Sequence, residues 1–208
     1  MRSTNIVYVS GTHGSGKSTL IGKLIDAEPT FFHKFERLDI PKCDETVERA
    51  KIRLVRYYLH TFYEDANVKE HPTQVLLCDR SALDNIAYMN GFKRLGWITQ
   101  EQYEQYVQSF EYLFPSEQRP KNVVFVNPSL DTTIQHLKTR WQTEPKKWRE
   151  DNFEYLAAVR EGFQELYATY QGNVLDLQGE HLDERVEQCL GWIHSWRMYS
   201  RQEEVSHV

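Results

Sequence analysis

Five short apolar runs, bounded by turn-forming residues, recur along the chain at residues 5–9, 30–35, 74–78, 122–126 and 173–177. Their apolar character is continuous rather than alternating, which predicts strands covered on both faces, as in a parallel sheet. Segments of helical period separate them. Val47, Ala50, Leu54, Tyr58 and Phe62 form one apolar stripe, and Tyr103, Val107, Phe110 and Phe114 form another, opened by Thr99 and Gln102 at capping-box spacing. Pro128-Ser129 reads as the start of a further helix. Strand and helix therefore alternate, which predicts an α/β fold with helices on both faces of the sheet and functional residues beyond the carboxyl ends of the strands. Trp192, Trp196 and Tyr199 share one face of a final helix, either packing on the core or forming a homodimer face. A polar tail is expected from about Arg201.

Composition narrows this picture. The 208 residues, 40% of them hydrophobic, suffice for one well-filled core. A single domain over residues 1–200 with a polar tail at 201–208 is expected. The three cysteines, Cys43, Cys78 and Cys189, are odd in number and far apart, which fits a reducing, cytoplasmic setting. No leader peptide is visible and no 18 apolar residues occur together, so a membrane partner is not expected. A formal net charge of -5 argues against nucleic acid and favours a small-molecule partner. The eight histidines show no ligand-like spacing.

The first apolar run leads directly into Gly11-Thr12-His13-Gly14-Ser15-Gly16-Lys17-Ser18-Thr19. Its first eight residues fit G-x-x-x-x-G-K-[ST] at each fixed position, and Leu20, Ile21, Leu24 and Ile25 follow at helical spacing. In such a loop glycines let successive N–H groups turn inward on phosphate oxygens at a helix start, where the helix dipole also favours anions. Lys17 would reach the β- and γ-phosphates, and Ser18 would hold magnesium. The remaining loop residues, Gly11, His13, Gly14, Ser15, Gly16 and Thr19, would cradle the triphosphate. ATP and Mg2+ are the expected cofactors, the metal arriving with the nucleotide.

The third run ends in Asp79-Arg80-Ser81-Ala82-Leu83-Asp84. An acid at the end of a buried strand beside a phosphate loop suits magnesium, and the arginine suits a phosphoryl oxygen or the attacking group. Asp84 reads equally as an acceptor ligand or as part of a helix cap. Arg49, Arg53 and Arg56, at spacings four and three, share one helix face and read either as a binding site for an acceptor phosphate or as a solvated face.

The phosphate loop, the Asp79-Arg80-Ser81 motif and the basic stretch around Arg140 together resemble the P-loop nucleoside and nucleotide kinases, in particular the deoxynucleoside and thymidylate kinase group. That resemblance implies a three-layer fold with strand order 2-3-1-4-5 and a helical lid, placed here at about residues 138–150, where Lys138, Arg140, Lys146, Lys147 and Arg149 flank Pro145. It implies catalytic roles for Lys17, Asp79, Arg80 and Arg140. It also implies, at the matching place Phe35-Glu36-Arg37-Leu38-Asp39 after the second strand, either a carboxylate that accepts the proton of the attacking hydroxyl, for which Glu36 is the candidate general base and Asp39 its substitute, or an arginine that holds an acceptor phosphate. The Glu-Pro patterns of the family are missing at that place. The expected activity is transfer of the γ-phosphoryl group of ATP to a nucleoside or nucleoside monophosphate. A polynucleotide 5′-hydroxyl kinase, another small-metabolite kinase and a regulatory P-loop ATPase are the alternatives.

Overall fold

The computed structural model describes residues 5–41 and 43–206, with side chains as far as residue 197. The elements run β1 (Ile6–Ser10), α1 (Lys17–Ala27), β2 (Phe32–Lys34), α2 (Thr46–Glu70), β3 (Val75–Asp79), α3 (Ala82–Arg94), α4 (Gln100–Leu113), a 3-10 turn (Ser116–Gln118), β4 (Asn122–Val126), α5 (Leu130–Arg140), α6 (Phe153–Thr169), β5 (Asn173–Leu177) and α7 (Leu182–Ser206). The five strands form one parallel sheet in the order β2-β3-β1-β4-β5, with Val7 opposite Leu77 on one side and Asn122 on the other. Each apolar run is thus a strand. The second is shorter than expected, because β2 lies at the sheet edge and pairs only with β3.

Alternation along the strands divides the core in two. Ile6, Tyr8, Leu76, Cys78, Val123 and Phe125 pack toward α2, α3, α4 and α6. Val7, Val9, Val75, Leu77, Val124 and Val126 face α1 and α7, where they meet Leu20, Leu24, Cys189 and Ile193. Trp192 and Trp196 pack on this second core, while Tyr199 lies outside the described side chains. Thr99 and Gln102 form the expected capping box, and the Ser129 side chain caps α5 by accepting from the Thr132 N–H.

One expectation changes. The stripe assigned to α2 holds at Ala50 and Leu54 and then rotates, so that Tyr57, Thr61 and Glu64 are buried while Phe62 is exposed. Polar partners inside the core draw it round: the buried Tyr8 phenol donates to Glu64 over 2.6 Å. The backbone of α7 continues to Ser206.

Helices α3 and α6 pack closely beside the site. A Cβ at Gly162 would come within 2.4 Å of the Ala87 carbonyl oxygen, so only glycine permits this approach. Among the described residues no helix is long and apolar enough to cross a membrane.

Candidate functional site

The carboxyl end of β1 delivers the chain into the loop at residues 11–16, and α1 begins at Lys17. Gly11, Gly14 and Gly16 all take positive φ. At Gly14 a Cβ would lie 2.6 Å from Leu137 Cγ and 2.9 Å from the Thr133 carbonyl, so glycine here lets α5 lie directly on the loop. His136 on α5 reinforces the contact, its Nδ1 donating to the Gly14 carbonyl at 2.9 Å. From the other side Arg185 of α7 donates to the carbonyls of Ser15 (3.3 Å) and Gly179 (2.6 Å). Lys17 is buried and folds back on the loop, donating to the Thr12 carbonyl at 2.6 Å. Burial, aided by the Arg80 charge, lowers its amine to about 7.

Across β1 from the loop, β3 ends at Asp79. The Ser18 hydroxyl donates to Asp79 Oδ2 at 3.3 Å, and Asp79 Oδ1 is buried without a hydrogen-bond partner. Burial would raise this carboxyl, yet Lys17, Arg80, Arg37 and the Ser18 hydroxyl hold it below its ordinary value. A charged hard oxygen beside a hydroxyl is the donor set magnesium takes in phosphate loops, so Ser18 and Asp79 fit that ion.

Arg80 follows in a left-handed conformation, φ 76°, which a non-glycine residue adopts only when its surroundings impose it. Its backbone N–H binds the Val9 carbonyl at 3.0 Å. Its guanidinium donates to the Gly11 carbonyl (2.8 Å) and to Asp84 Oδ2 (3.1 Å) and lies over the Tyr88 ring. Asp84 is fully engaged: its Oδ1 accepts from Ser10 Oγ at 2.6 Å and from the Ser81 backbone N–H at 3.2 Å. Tyr167 extends the chain by donating to Ser10 Oγ at 2.8 Å. Burial raises the Asp84 carboxyl despite the Arg80 charge. Asp84 thus completes the capping box of α3 and anchors the Arg80 guanidinium, while also lining the cavity.

These groups line one cavity of about 870 Å³, closed on the far side by α2. Arg37, Arg49, Arg53 and Arg56 all face it, together with Tyr57, Asn85, Tyr88 and Trp148. Arg53 lies over Tyr88 and Arg49 over Trp148. Burial lowers the Arg49 and Arg56 guanidiniums, and each has an Nε without a hydrogen-bond partner. The arginine stripe of α2 is an interior face, so its reading as a solvated surface is set aside.

Past α5 the chain turns through residues 141–152. Arg140 faces the cavity and is ion-paired with Glu150, which is fully buried and also accepts from Trp141 Nε1 at 3.0 Å. Of the other basic residues expected in a lid, only Lys147 lines the cavity. Lys146 pairs with Asp151 at 3.2 Å, and Arg149 lies between Trp97 and Trp148. Lys138 approaches the Phe153 ring. The segment is thus held at its ends and exposed at 142–147.

Glu36 falls outside the cavity. Its side chain is 81% exposed and pairs with Lys34 at 2.8 Å, and Asp39 is exposed as well, so neither stands where a general base is required. The reason is local: β2 is short, and the segment after it runs outside the sheet edge. The sequence reading missed His136 and Arg185, and in the segment after the second strand it favoured Glu36 over Arg37. Arg37 sits one residue from the favoured carboxylate, whereas His136 and Arg185 reach the loop from elements too distant in sequence for any spacing to reveal.

A phosphate loop on β1 of a 2-3-1-4-5 parallel sheet, with the Ser18 hydroxyl beside the Asp79 carboxylate, defines a P-loop nucleotide-binding protein. The AAA domain family model matches residues 6–185, and the chain belongs to that family. No curated protein matches the sequence. Among solved structures the fold is similar to that of deoxyadenosine kinase from M. mycoides with bound dATP, at 16% identity and TM-score 0.66, covering 91% of this chain and 99% of that one. The same enzyme with the products dCMP and a flexible dCDP matches at 18% identity and TM-score 0.61, over 91% and 99% of the two chains. With bound dCTP it matches at 18% and 0.60, with the same coverage.

Proposed function

We propose that this protein is a phosphotransferase that moves the γ-phosphoryl group of ATP to a nucleoside monophosphate, a nucleoside being the next acceptor in order. The observation that carries this reading is the group Arg37, Arg49, Arg53 and Arg56, which lines the same cavity as the phosphate loop. Guanidinium groups with unpartnered Nε donors suit a phosphate-bearing acceptor. An oxygen of a dianionic acceptor phosphate attacks the γ-phosphorus while the bond to the β,γ-bridging oxygen breaks, giving ADP and a nucleoside diphosphate. Such an acceptor has no proton to lose, which agrees with the exposed positions of Glu36 and Asp39.

The remaining groups are fitted to charge and position. Lys17 and the loop amides meet the donor phosphates, Arg80 reaches the transferred group, and Arg140 faces the same space from α5. Ser18 and Asp79 would hold magnesium, which neutralises charge on the donor phosphates when bound. The likeness in fold to a deoxyadenosine kinase whose structure holds dCMP as a product is the ground for keeping a nucleoside as the next acceptor, since transfer to a nucleoside is what yields a monophosphate.

The test is label transfer from γ-labelled ATP with magnesium to a panel of nucleosides, nucleoside monophosphates and a 5′-hydroxyl oligonucleotide. Label should pass to a monophosphate and disappear with Lys17→Ala. Label released only as free phosphate would overturn the reading.

A further inference from the structure

His13 is the one side chain of the phosphate loop that joins it to the aromatic and cationic wall of the acceptor side. Its ring meets Tyr88 of α3 edge-on at 5.5 Å between centroids and lies 6.3 Å from Tyr155 of α6. Over Tyr88 rest both Arg53 of α2 and Arg80. The imidazole lines the cavity, and its Nε2 is shielded from solvent without a hydrogen-bond partner. The Tyr155 hydroxyl is likewise buried and unpartnered. Polar atoms in such a setting cost free energy unless a partner meets them.

We propose that His13 is an acceptor-binding residue, its Nε2 hydrogen-bonding the phosphate of the acceptor rather than the triphosphate of ATP. This assignment rests on the monophosphate acceptor proposed above. It changes the expectation from the motif, which placed His13 with the donor. The electrostatics agree. Burial, then the charges of Arg80, Lys17, Arg53 and Arg140, hold the imidazole well below its ordinary value, so it is neutral in the empty cavity. Those cations come from α1, α2, α5 and the segment after β3, and α3 and α6 add the phenols of Tyr88 and Tyr155. Two phosphate-bearing ligands offset part of this positive field. The imidazole then gains affinity for a proton and becomes a stronger donor to the acceptor.

The experiment is calorimetric titration of the full chain with magnesium and adenosine 5′-(β,γ-imido)triphosphate, then of that complex with dAMP, dCMP, dGMP and dTMP. Wild type is compared with His13→Leu and His13→Gln, each in two buffers of different ionisation enthalpy. We expect both variants to bind the ATP analogue like wild type, which also reports their folding. His13→Leu should bind the accepted monophosphate about tenfold to a hundredfold more weakly, the range for losing a hydrogen bond to a charged group. His13→Gln, which keeps an amide donor, should recover most of the affinity but lose the proton uptake that wild type shows on acceptor binding. Weaker binding of the ATP analogue with unchanged acceptor affinity would overturn the assignment and return His13 to the donor side. Wild-type affinity for both ligands in His13→Leu would overturn it as well. Wild type that binds the ATP analogue and none of the four monophosphates would overturn the acceptor reading, and this assignment with it.

Discussion

Lys17 Nζ rests 2.6 Å from the carbonyl of Thr12 in its own loop, buried and close to Arg80. With its amine lowered to about 7, it stands between charged and neutral near that pH. A triphosphate against it favours the charged form, so binding takes up a proton, and affinity falls as pH rises above about 7. The fall approaches about tenfold per pH unit if this group dominates. Titrating a fluorescent ATP analogue without added metal from about pH 6 to about pH 9 checks this. Lys17→Ala should bind weakly with a flatter response, and a wild-type affinity that rises with pH would contradict the account. At this scale the sequence was most informative for groups whose partners are near in the chain. Lys17 and Ser18 open α1 directly after the loop, and Asp79 ends its strand beside Ser18. The position of Glu36, exposed and outside the cavity lining, could not be read ahead, because spacing from a strand does not say whether the next residues turn toward the cavity or away.

Among the elements, the strands were legible because residues covered on both sides must be apolar throughout, and β1, β3 and β4 are buried over most of their length. Helix α2 was legible in extent but not in orientation. Its arginines and aromatics are arranged around a polar cavity on one side and Glu64 in the core on another, so a single apolar stripe does not describe it. The packing of α3 on α6 was not visible at all. It depends on Gly162, where a Cβ would press to 2.4 Å from the Ala87 carbonyl oxygen. Gly162→Ala should therefore destabilise the protein by about 1–3 kcal/mol, the usual cost of forcing an extra carbon into a filled contact. In thermal unfolding this corresponds to a Tm lower by roughly 3–10 °C. An unchanged Tm would mean that the two helices separate at little cost, and that the positions of Asp84 and Tyr88 on one and Tyr155 on the other are less fixed than the packing implies.

On the scale of the molecule, a chain with formal net charge -5 gathers Arg37, Arg49, Arg53, Arg56, Arg80, Arg140 and Lys17 around one cavity. Total charge could not disclose this, because most of the 30 acids lie elsewhere, with Asp79, Asp84, Glu144 and Glu180 lining the cavity, and the cations come from α1, α2, α5 and the segments after β2 and β3. The phosphate-loop half of the cavity was readable since a single contiguous motif builds it. The opposite half is made by tertiary folding, which alone brings α2, α3 and α6 to the phosphate loop.

The ring of aromatic side chains about residues 141–152 has a practical consequence. Of the five tryptophans, Trp97, Trp141 and Trp148 stand in or against this segment, with Trp141 bonded to Glu150 and Trp148 lining the cavity under Arg49. The other two, Trp192 and Trp196, lie on α7 against the opposite core. The protein thus carries its own optical reporter. Filling the cavity should alter the intensity or wavelength of intrinsic emission, and Trp148→Phe should remove most of that response while leaving the steady signal of α7 as an internal reference.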